Sequence, residues 1–85
     1  MSLFARLDRH ADLVHRMADT VGVDLAEQAM RGALPEQDIR GAVLSCMSCS
    51  KADDCGHWLD AHADGADAPP SYCRNTSMFD ALMGG

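Results

Sequence analysis

Leu3, Phe4, Leu7, Ala11, Val14, Met17, Ala18 and Val21 recur at three- and four-residue steps, while Arg6, Asp8, Arg9, Asp12, Arg16 and Asp19 take the opposite side. An apolar stripe of that period predicts an amphipathic helix. Ser2 reads as its N-cap and Gly22 as its stop. Asp24 followed by Glu27 is an aspartate version of a capping box. It opens a short second helix through Leu25, Ala29 and Met30 that ends at Gly32.

Pro35 suits the first turn of a third helix, where its missing N–H is not needed, and Glu36 and Asp38 suit the positive end of the helix dipole. Ile39, Ala42, Val43, Cys46 and Cys49 then fall along one side. Ser50 is the expected cap of a fourth helix, on which Cys55, Trp58, Leu59 and His62 share a face. The stretch ADGADAPPS from Ala63 to Ser71 is a loop by composition, and Tyr72-Cys73 follows it directly. Asn75 reads as the cap of a last turn or two carrying Met78, Phe79, Leu82 and Met83, before a frayed Gly84-Gly85. With no alternating segment to make a strand, the pattern predicts an all-α bundle of four to five short helices. A cysteine-lined metal site is expected between the third helix, the fourth helix and the C-terminal loop.

The chain has 85 residues, which predicts one domain over 1–85 and a core close to the minimum that holds a fold unaided. Disulfides, a metal or a partner subunit commonly supply the remainder. The net charge of −6 and the scatter of seven Lys and Arg argue against a nucleic-acid ligand, whose affinity comes from clustered cations. An anionic membrane surface is disfavoured for the same reason. The longest strictly aliphatic run is Ala42-Val43-Leu44, so neither a membrane span nor a signal-peptide core is expected, and the expected compartment is the cytoplasm. There, clustered cysteines read first as metal ligands or redox groups.

All four cysteines lie between positions 46 and 73, spaced Cys46-x2-Cys49-x5-Cys55-x17-Cys73. Cys46 and Cys49 put two sulfurs on one side of a helix end, a reversal at Ser50-Lys51 returns Cys55 toward them, and Cys73 arrives from the loop. Zinc and iron-sulfur centres both accept four thiolates. Structural zinc sites usually present two short-spaced pairs, whereas three close cysteines and one remote is the pattern of many cluster proteins. The x2-x5 interval resembles the last three ligands of the cluster loop in helical DNA glycosylases of the endonuclease III type, whose upstream ligand and basic surface this chain lacks.

The expected cofactor is therefore a 4Fe-4S cluster on Cys46, Cys49, Cys55 and Cys73, for electron transfer or redox sensing. A zinc-stabilised interaction module without redox activity is the alternative. Thiol redox chemistry at Cys46 and Cys49 is a third reading, and buried inert thiols a fourth. Met47, Trp58, Leu59, Tyr72 and Phe79 are candidates to exclude water from the sulfurs, Lys51 and Arg74 to offset their charge, and N–H groups at the start of the fourth helix to donate to them.

Other residues carry less. His57 and His62 flank Trp58, and His62 is the better candidate to replace a thiolate. His15 sits on the polar side of the first helix; His10 lies at the stripe's edge and is expected to pack against a neighbour. Asp53-Asp54 fits the first turn of a helix rather than a catalytic pair. Met17, Met30, Met47, Met78 and Met83 fall at core-like spacing. No nucleophile, base and oxyanion donor form a recognisable set, so no enzymatic activity is expected. The expected partner is a protein of unspecified identity, and the first helix can complete the monomer's core or pair with a second copy.

The runs RLDRHADLVHRMADTVGVDL and GAVLSCMSCS, then Cys55-x-x-Trp58-Leu59 and PPSYCRN, resemble a family of small uncharacterised bacterial four-cysteine proteins classed as a domain of unknown function. The resemblance covers nearly the whole chain and implies that the cysteines act as a set. Proline often follows the last cysteine in that pattern, where this chain has Arg74.

Overall fold

The structure is a computed structural model that describes residues 3–84. Among them the chain forms five helices and no strand: α1 (Leu3–Thr20), α2 (Leu25–Met30), α3 (Glu36–Met47), α4 (Ala52–Ala61) and α5 (Thr76–Gly84). The all-α expectation therefore holds, at five helices. Ser2 and Gly85 lie outside the described residues. Gly84 closes α5 instead of fraying from it.

Two glycines set the turns on either side of α2. Gly22 (φ 81°) and Gly32 (φ 77°) both occupy the left-handed region that a Cβ disfavours. At each, the following N–H reaches back five residues, Val23 to the Ala18 carbonyl (2.8 Å) and Ala33 to the Gln28 carbonyl (3.0 Å). These are Schellman stops, and the first turns the buried Val23 onto the core. Asp24 accepts the Glu27 N–H at 3.1 Å, so the capping residue read from sequence is in place.

The next two helix starts are each displaced by one residue. Pro35 precedes α3 rather than opening it, its carbonyl accepting from Asp38 and Ile39 N–H groups. Lys51, not Ser50, stands at the start of α4, and no side chain caps that helix.

The core gathers Leu13, Val14, Met17, Ala18, Val21, Val23, Leu25, Leu34, Ala42, Leu59 and Phe79. Helix α1 packs chiefly on α3 and secondarily on α4. Two ion pairs fix α1 alongside α4, running in the same direction: Arg9–Asp53 at 2.7 Å and Arg16–Asp60 at 2.8 Å, one helical heptad apart on both helices. Being exposed, each is worth about 1 kcal/mol or less and sets register more than stability. Because Arg9 meets the second residue of α4, the first turn of α1 runs past that helix. Leu3 and Phe4, expected on the buried stripe, are accordingly exposed, Phe4 at 78%. Met30 (88% exposed) and Met83 also depart from the expected core positions, and only Leu25 of α2 is buried.

The segment from Ala63 to Ser71 is irregular, as its composition indicates, yet it is tied down. Ala66 N–H donates to the Thr20 carbonyl at the end of α1 (2.8 Å), and Pro69 and Pro70 are buried. Past Cys73, the Asn75 side chain donates from Nδ2 to the Ala42 carbonyl on α3 (2.9 Å). Sequence reading placed that side chain as a cap of α5. Its backbone carbonyl does accept the Phe79 N–H, but the amide itself cross-links to α3, where a buried donor needs a partner. No described helix is long and apolar enough to cross a membrane.

Candidate metal centre

Four chain segments bring the cysteines to one place. Cys46 is in the last turn of α3, Cys49 lies in the turn just after it, Cys55 is in the first half of α4, and Cys73 comes from the loop before α5. Cys49 was expected to continue the α3 face. The helix instead ends at Met47 with Ser48 as C-cap, and the Cys49 N–H bonds back to the Cys46 carbonyl at 3.1 Å. That tight turn reverses the chain into α4, as the Ser50-Lys51 reversal predicts.

All four line a single small cavity of about 30 Å³, together with Leu13, Ala52, Tyr72, Arg74 and Asn75. Of the water-excluding residues expected from sequence Tyr72 is on this wall, and so is Arg74, expected to offset charge. Leu13 and Ala52 supply the apolar remainder in place of Met47, Trp58, Leu59 and Phe79. The cysteines are free thiols, all of them half-buried, and no disulfide joins any pair. Among the described residues no group of three or more His, Cys, Asp or Glu side chains is disposed to hold a metal ion, so the expected metal site is reduced here to a cysteine-lined cavity.

Polar groups face three of the sulfurs. Lys51 N–H points to Cys49 Sγ at 3.4 Å, the contact expected at the start of α4. Asn75 N–H bonds to the Cys73 sulfur, which the Asn75–Ala42 cross-link holds in position. His10 Nδ1 lies 3.3 Å from Cys46 Sγ. The Cys49 thiol in turn faces the Tyr72 carbonyl at 3.9 Å, tying the turn after α3 to the last ligand loop.

Electrostatics oppose ionisation of three of the four thiols. Burial, then the neighbouring cysteines, push Cys46 up from 9.0 to about 11, with Arg9 acting weakly the other way. Burial followed by Cys73 and Cys49 raises Cys55, against Arg16, and burial raises Cys73, against its Asn75 hydrogen bond. A thiolate is the ligand and nucleophile, so burial makes Cys46, Cys55 and Cys73 poorer nucleophiles unless a cation offsets their charge. That weakens the thiol redox reading at Cys46.

The histidines divide differently from expectation. His62 stacks on Trp58, ring centroids 4.0 Å apart, and its Nδ1 is 2.7 Å from the Trp58 carbonyl, so it turns away from the sulfurs. His57 opens onto a separate polar groove of about 520 Å³ between α1 and α4, bordered by Arg9, Asp12, Arg16, Asp53 and Asp60. His10, expected at the stripe's edge and packed against a neighbour, is buried at 6% exposure with Cys46 as that neighbour, and burial, then Arg9 and Arg6, lowers its pKa. Its one available sequence signal was position: it stands three residues before Leu13, which lines the cavity.

Residues 1–85 match a family of unknown function (DUF6455), and the chain belongs to that family. No curated protein and no solved structure matches it.

Proposed function

We propose that this family member is a small cluster carrier in which Cys46, Cys49, Cys55 and Cys73 hold a 4Fe-4S centre for electron transfer or redox sensing. The observation that carries the reading is the cysteine cavity itself: four unpaired thiols from four segments around one space, with backbone N–H groups directed at Cys49 and Cys73 and an imidazole nitrogen beside Cys46. Hydrogen bonds to sulfur stabilise thiolate ligands and tune a cluster's potential. Buried thiols that only fill a core have no use for such donors.

The donor set fits the group. Four thiolates in a desolvated space repel one another, and an iron-sulfur core supplies the positive charge that offsets them. Lys51 and Asn75 N–H groups would hold Cys49 and Cys73 as ligands, and Leu13, Ala52 and Tyr72 would keep water from the sulfurs. When bound, the cluster supplies reversible one-electron chemistry. The cavity has space for about two water-sized atoms, so a four-iron core requires the turn at 48–51 and the loop at 72–75 to move outward. Both are non-helical.

Such a carrier exchanges electrons with a protein partner and turns over no substrate of its own. Its free cysteines suit a reducing compartment such as the cytoplasm. The small cavity favours a second reading, a single zinc ion stabilising an interaction module. Against it stands the ligand spacing, three close cysteines and one remote rather than the two short-spaced pairs usual in structural zinc sites.

Metal and sulfide content of protein purified without oxygen or added metal decides between them. About four irons and matching sulfide per chain, with a brown colour lost in Cys73→Ser, is the expected result. Stoichiometric zinc without iron, or a colourless metal-free protein, overturns it.

A further inference from the structure

The polar groups at the sulfurs are not equivalent. Cys49 and Cys73 are met by backbone N–H groups of their own turns, and Cys73 also by the Thr76 side chain three residues on. The group at Cys46 is a side chain 36 positions away, on another helix. His10 is buried at 6% exposure inside a helix whose polar face had room for it, and its Nδ1 is 3.3 Å from Cys46 Sγ. A polar group takes up such a position at a cost of desolvation, which only a hydrogen bond offsets.

Direction matters in this contact. A protonated Cys46 can donate S–H to an unprotonated Nδ1, but a metal-bound thiolate has no proton to give and can only accept. The ring must then carry its proton on Nδ1, the nitrogen facing the sulfur. We infer that His10 is the positioning residue for Cys46: its Nδ1–H donates to the Cys46 thiolate in the loaded site, holding that ligand in place and shifting the reduction potential of the centre upward. The potential shift rests on the cluster reading above; the hydrogen bond and its tautomer need only a thiolate-bound metal.

His10 is carried by α1, and Cys46 by α3, the helix on which α1 packs most extensively. Cys46 is thus presented from packed helices, whereas Cys49 and Cys73 lie on non-helical segments. A hydrogen bond to sulfur lowers the electron density that the ligand gives to iron, so the reduced state gains relative to the oxidised one.

The test combines three variants with two loadings of the full-length protein. In the iron-loaded protein, His10→Leu is expected to lower the midpoint potential and speed iron release to a chelator, while His10→Asn, whose Nδ2 overlays the imidazole Nδ1, restores most of both. Cys46→Ser serves as the control that loses the ligand itself. In parallel, imidazole nitrogen NMR on wild-type protein loaded with cadmium(II), a diamagnetic thiophilic ion, is expected to show His10 protonated on Nδ1.

Equal potentials and release rates in wild type and His10→Leu, or an Nε2–H tautomer in the cadmium form, overturn the inference and leave the cluster reading standing. Nδ1 protonation with cadmium in a protein that never takes up iron does the reverse. A chain that binds neither iron nor cadmium refutes both.

Discussion

Around Val14, Met17, Val21, Leu25, Leu34 and Phe79 the chain is held by aliphatic and aromatic packing. Around Cys46, Cys49, Cys55 and Cys73 it is held by a buried amide, a buried imidazole and backbone donors pointed at sulfur. The second region gathers thiols in which burial, then the neighbouring cysteines, raise Cys46 to about 11, and burial pushes Cys55 and Cys73 upward, so its stability depends on pH. For a chain of 85 residues, this division of labour resembles that of small domains that supplement a modest core with a metal.

The largest expected effect breaks the comparison on its apolar side. Phe79 is 1% exposed, the largest fully buried side chain among the described residues, and it does not line the cysteine cavity. Phe79→Ala should cost about 3–5 kcal/mol through lost transfer energy and the void left behind. Urea denaturation should show a similar loss with and without metal. A much smaller loss in the loaded protein would mean that the two regions do not act independently.

Asn75→Ala should cost less overall but fall on the other side. It removes a buried hydrogen bond while the Ala42 carbonyl keeps its partner within α3, a loss of about 1 kcal/mol, and frees the segment that presents Cys73. Metal retention against a chelator should therefore fall further in Asn75→Ala than in Phe79→Ala, although the latter is less stable. Equal retention in the two would remove the distinction between core and site.

Much of the apolar region is legible from sequence because its signals are local. Gly22, Gly32 and Asp24 act within five residues of themselves, and the structure uses all three as their chemistry indicates. The buried face of α1 is less well read: Leu13 and Val14 are both buried, although a single stripe admits only Val14. The reason is that α1 faces two helices, α3 and α4, which widens its covered arc. Leu3 and Phe4 mislead in the opposite way, since no periodicity reveals where a partner helix stops. In the site, spacing identified the cysteines as a set, and composition identified the loop that carries Cys73. His10 and Asn75 were not legible in their roles. Each acts on a residue more than 30 positions distant, and only the packing of α1 and the C-terminal loop on α3 makes those contacts.

The smallest expected effect isolates the electrostatic half of the comparison in the metal-free protein. Cys46 holds its proton up to about pH 11 when folded, against 9.0 for an exposed thiol. Between those values the unfolded chain gives up a proton that the folded chain keeps, so rising pH favours unfolding. The contribution is fully present below pH 9 and lost as pH climbs through the folded value, the opposite sense to a paired carboxylate. The thermal midpoint of metal-free protein should therefore decline from about pH 8 to about pH 10.5, and decline less steeply in Cys46→Ser, where nothing ionises. Loaded protein should lack this part of the decline because its ligands are already thiolates, and should instead lose metal on acidification, when protons compete for sulfur. An identical slope in wild type and Cys46→Ser would place the alkaline loss elsewhere and overturn the claim that burial opposes ionisation of Cys46.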